Sequence, residues 1–113
     1  MNEKQQEKTN RHKMLCNFIH ELYRRKNHDY GDSFHLSFKE EGMAMARIRL
    51  GDKLNRFKQL SKNPDSQQVK GESIKDTLLD LANYAIMTVL EIQDAKDAAE
   101  NGDEGDEYFR DTV

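Results

Sequence analysis

The stretch GESIKDTLLDLANYAIMTVLEI, residues 71–92, decides the fold. Its apolar residues recur at three and four rather than two: Ile74, Leu78, Leu81, Ala85, Val89 and Ile92 fall on one line, widened by Leu79, Ala82 and Ile86. This is the period of an α-helix, and an apolar sector about half the circumference wide predicts a central helix packed on more than one side. At about 100° per residue, Glu72, Asp76, Asp80 and Asn83 share a narrow sector beside Leu79, Ile86 and Leu90. Acids stacked one turn apart repel by a few tenths of a kcal/mol per pair in water and by more when half-buried. Something positive is therefore expected opposite them, either Mg²⁺, which prefers carboxylate oxygens, or a cation from a neighbouring helix.

Working outward, the same period recurs at 43–61, where Met43, Ala46, Leu50, Leu54 and Phe57 form the apolar stripe. Arg49, Lys53 and Arg56 share another face of that helix, a ready partner for the acids. A salt-bridged bundle without activity explains such complementarity as readily as a binding site does. Buried ion pairs contribute little net stability, however, and a dense polar network at a core edge points toward a site.

A first helix is expected over roughly 10–27, with Leu15, Phe18, Ile19 and Leu22 on one face, and a short helix over 33–41 with Phe34 and Phe38 one turn apart. Between them lies KNHDYGDSF, residues 26–34. Lys26 stands there where an aliphatic residue would continue the first helix's face, and a following helix N-terminus can hold an anion. His28 and His35 flank this turn, where they could touch a ligand, though surface histidine is the safer reading. The fold expected is all-α, a compact bundle of three long helices plus a short one, in a domain over 11–94 between a flexible N-terminus (1–10) and an acidic disordered tail (95–113). At 113 residues its core is small, so oligomerisation is expected.

Apolar and charged residues each make up 35% of the chain, and the net charge of −3 is uneven. From residue 94 onward eight acids face two bases, which leaves residues 1–93 at +3. The bases are too few and too mixed with acids for a phosphate-tracking stripe, which argues against nucleic acid as a partner. No apolar run approaches the length that crosses a bilayer, and MNEKQQEKTNRHK lacks the hydrophobic segment of a signal peptide, so a cytoplasmic location is expected. The lone Cys16 agrees with a reducing compartment. His12, Cys16 and His20 recur at helical spacing, but a fourth zinc ligand is not apparent. No nucleophile with its base, no glycine-rich phosphate loop and no thiol pair is visible.

Three motifs in order carry a resemblance: Lys26 with Asp29, Tyr30 and Gly31; Asp52, Lys53 and Arg56; and Glu72, Ser73, Asp76, Thr77, Asp80, Ala82 and Tyr84. Together they resemble the phage-associated family called nucleotide modification associated domain 1, over roughly residues 16–91. The final helix is also similar in style to the all-α nucleoside triphosphate pyrophosphatases of the MazG and dimeric dUTPase type. Those enzymes hold Mg²⁺ with acids from two helices and often work as oligomers, but their acid pairs are spaced by three, whereas these are spaced by four.

The resemblance implies a nucleotide or nucleotide-derived small molecule as ligand. Lys26, Arg49, Lys53 and Arg56 would contact phosphate, Asp29 would lie in the ligand-binding turn, and Tyr30 or Tyr84 would stack on the base. Glu72, Asp76 and Asp80 would orient the cations or hold Mg²⁺. Hydrolysis of a (d)NTP to the monophosphate is the enzymatic version. The alternative is an interaction protein that sequesters a host signal nucleotide or inhibits a host protein partner.

Overall fold

The computed structural model describes residues 1–30, 32–62 and 73–100. They form four helices, α1 (Glu3–Tyr30), α2 (Ser33–Glu41), α3 (Met43–Lys62) and α4 (Ile74–Glu100), and no strand occurs among them. The described residues are all-α, three long helices and one short one, as the periodicity predicts. Two units separate at the start of α2, Met1–Ser33 and the chain from Phe34 onward. No described helix is long and apolar enough to cross a membrane.

In the first unit, α1 begins at Glu3 and not near residue 10. The reason is a capping box that the sequence reading overlooked: Gln5 N–H donates to Asn2 Oδ1 at 2.8 Å, and Asn2 N–H donates back to Gln5 Oε1 at 3.0 Å. Further along, Arg24 donates from Nε and Nη2 to both carboxylate oxygens of Glu21, one turn before it. This hydrogen bonding holds the Glu21 carboxyl below its usual range and raises Arg24. A carboxylate lowered on folding stabilises above its unfolded pKa and loses that contribution as pH falls through the lowered value. Both side chains are exposed, so the contribution is small.

The second unit is built on α2. Phe34 and Phe38, four residues apart on one face, are buried with Met45 and Ala46 of α3, and Met43, Tyr84, Met87, Ile92 and Ala95 pack against them. Ala46 is 1% exposed, so its small side chain sits in full contact with its neighbours. α2 ends at Gly42, whose φ of +71° lies in the left-handed region and whose N–H donates to Phe38 C=O at 2.7 Å. Nothing lies within 4 Å of where a Cβ would stand. Gly42→Ala is therefore expected to cost only the conformational penalty, roughly 1–2 kcal/mol, as a shift in urea midpoint, with Gly42→Asn costing less. Equal midpoints for the glycine and alanine proteins would show that the cap does not hold α2.

α4 packs along α3. Its N-terminus is a second capping box: Asp76 N–H donates to Ser73 Oγ at 3.0 Å and Ser73 N–H to Asp76 Oδ2 at 3.4 Å. The helix starts at Ile74 and continues to Glu100, so residues 95–100 are helical; residues 101–113 lie outside the described ones. The side it buries is also not the one expected. Thr77, Thr88 and Glu91 are buried, while Leu78, Ile86, Val89 and Leu90 are 41–52% exposed. Thr88 is accommodated because its hydroxyl donates to Tyr84 C=O at 2.8 Å, inside its own helix.

Candidate functional site

One ion pair of the second unit bridges the seam between α3 and α4. Lys53 lies in the middle of α3 and Asp80 a turn and a half into α4, and Lys53 Nζ donates to Asp80 Oδ2 at 3.2 Å. Each side chain is 28% exposed, so the pair sits at the rim of the core and not in open water. The Lys53 ammonium is also 6.0 Å from the centroid of the Tyr84 ring, at the outer limit of a cation–π contact.

Tyr84 in turn stacks on Phe34, with centroids 5.9 Å apart and planes 26° apart, and Phe34 stacks on Phe38 at 6.4 Å and 22°. The core thus runs as a row of three rings to an ammonium and a carboxylate at the surface. The Tyr84 ring is thus held by a second ring, and the positive charge an anionic group would seek is the ammonium beside it.

The residues picked out in the sequence divide. Lys53, Asp80 and Tyr84 come together on the seam. Arg56 is half-buried and Arg49 exposed, on the same helix as Lys53. Asp76 is exposed and serves the N-terminal cap of α4. Glu72 and Gly31 lie outside the described residues. Lys26, Asp29 and Tyr30 stand at the C-terminal end of α1, in the other unit; Lys26 and Asp29 are exposed, and His28 Nδ1 lies 3.3 Å from Asp29 Oδ1.

The match to the family model of nucleotide modification associated domain 1 spans residues 26–92, more than half of the chain. The chain belongs to that family. All residues of the Lys53–Asp80–Tyr84 seam fall inside the span, as do Lys26, Asp29, Arg49, Arg56 and Asp76. No curated protein and no solved structure matches the chain.

One contact of this nucleotide modification associated domain was not legible beforehand. His35 of α2 is not merely a surface histidine: its Nδ1 lies 2.5 Å from Oε1 and 2.9 Å from Oε2 of Glu91 on α4. The two are 56 positions apart in sequence. The signal available was a glutamate interrupting the apolar run between Leu90 and Ile92.

Proposed function

We propose that this nucleotide modification associated domain binds a nucleotide or nucleotide-like phosphate ligand at the α3–α4 seam. The observation that supports it most is Lys53, a half-buried ammonium held between the Asp80 carboxylate and the Tyr84 ring. An incoming phosphate would exchange with Asp80 for Lys53, Arg49 and Arg56 would add charge along α3, and Tyr84 would offer its ring to the base or sugar.

Cleavage of a (d)NTP is the enzymatic form of the reading. It needs Mg²⁺ on Glu72, Asp76 and Asp80, carboxylates of the type that ion prefers. Asp80 meets Lys53 and Asp76 closes the capping box, so the ion would compete with both for oxygen atoms. When bound, the ion would polarise a phosphoryl group and activate water.

Isothermal titration against nucleoside mono-, di- and triphosphates and cyclic dinucleotides, each with and without Mg²⁺, tests both forms. Saturable binding to one class, weakened at least tenfold by Arg56→Gln with the fold intact, is expected. Absence of heat with every class would leave the seam a structural ion pair.

The reading also includes self-association. Leu78, Ile86, Val89 and Leu90 on α4, with Ile48 on α3, are large apolar side chains exposed on the surface. A second copy of the chain is the occupant proposed for this face, and Val89→Asp is expected to turn an oligomer into a monomer in light scattering. A wild-type chain that is monomeric at high micromolar concentration would refute it.

A further inference from the structure

Beyond the seam, α2 and α4 bring together a second group of side chains whose chemistry differs from that of the nucleotide reading. His35, Glu91 and Asp94 each offer one ligand atom, and these atoms all lie within 4.8 Å of one another. Glu91 and Asp94 are three residues apart on α4 and so point to the same side, where α2 supplies the imidazole. Along α4 the group is eleven residues from Asp80, roughly 16 Å at the helical rise, so it is not part of the Lys53 seam.

Charge is the difficulty the group poses. Glu91 is 7% exposed, and a carboxylate taken out of water needs a compensating partner. His35 gives Glu91 one partner, and Asp94 brings a second carboxylate to within 4.8 Å of both. A divalent cation would draw the imidazole and both carboxylates to one centre.

We infer that His35, Glu91 and Asp94 form a binding site for a divalent first-row transition ion, with water completing its coordination. One imidazole nitrogen and two carboxylates suit Zn²⁺, Mn²⁺ or Co²⁺, whereas Mg²⁺ and Ca²⁺ select oxygen alone. Ligand atoms at about 2.0–2.2 Å from one ion stand roughly 3–3.5 Å apart. The 2.5 and 2.9 Å His35–Glu91 separations would open slightly, and exposed Asp94 would swing in. Three protein ligands leave at least one position for water, and the bound ion ties α2 to α4.

The test uses the full chain, freed of metal with a chelator and titrated with Zn²⁺, and separately with Co²⁺ followed by absorption. One ion per chain is expected, with a higher melting temperature on loading and no thiolate-to-cobalt charge-transfer band. Asp94→Asn, at an exposed position, should weaken binding at least tenfold while its metal-free melting temperature is no lower than that of the parent. Cys16→Ser should bind as the parent does. The inference is overturned if the parent takes up no ion, or if Asp94→Asn binds as tightly as the parent. A cobalt spectrum dominated by thiolate would overturn it too, placing the ion on Cys16, whose Sγ lies 3.8 Å from His12 Nδ1.

Discussion

Phe38→Ala is expected to lower the unfolding free energy by about 3–5 kcal/mol, the cost of emptying a well-packed aromatic site. Phe38 is buried beside Phe34 in the core shared by α2, α3 and α4. The loss is large against the total, since native domains are stable by only about 5–15 kcal/mol and small ones lie toward the lower end. Urea denaturation followed by far-ultraviolet circular dichroism should show a shallow, early transition. Phe38→Leu keeps most of the volume and should cost less than about 1.5 kcal/mol. If alanine cost no more than leucine, α2 would not be an integral part of the core.

The second large effect is expected from Lys53→Glu. It removes the ammonium from the Tyr84 ring and sets two carboxylates against each other where Lys53 and Asp80 now meet at 3.2 Å. Like charges a few ångströms apart at a partly screened site interact unfavourably by about 2–4 kcal/mol at an effective dielectric near 20. The melting temperature should fall, and should recover in part when Asp80→Lys is added. Lys53→Met separates structure from binding. As a pair at the rim of the core, Lys53 and Asp80 should contribute about 1 kcal/mol, yet the ligand should lose at least tenfold in affinity if Lys53 contacts phosphate. A methionine protein that binds nucleotide as well as the parent would remove Lys53 from the site.

The residues that could be named in advance on the seam were those with regular spacing. Lys53 and Arg56 stood on the polar face of one periodic segment and Asp80 on the shoulder of another, and complementary charge suggested the pairing. Asp76 shared that spacing, but the Ser-x-x-Asp pattern at 73–76 was equally a capping signature. The glutamate within the apolar run set Glu91 apart, but nothing local named His35 as its partner, since their meeting depends on how α2 lies against the distal half of α4.

Period and end signals in the sequence determined that this chain is helical and, closely, where α2 and α3 begin. Those preferences act within a few residues through hydrogen bonds and steric fit, so they can be read locally. Which side of α4 faces inward was decided by tertiary packing. Its apolar sector is too wide for hydrophobicity to choose an edge. The rings of Phe34 and Phe38, the small Ala46 and the Lys53–Asp80 contact turn the Thr77, Tyr84, Thr88 and Glu91 side toward its neighbours and leave Leu78, Ile86, Val89 and Leu90 outside. Burial is a property of two surfaces together, and one helix alone specifies only its own.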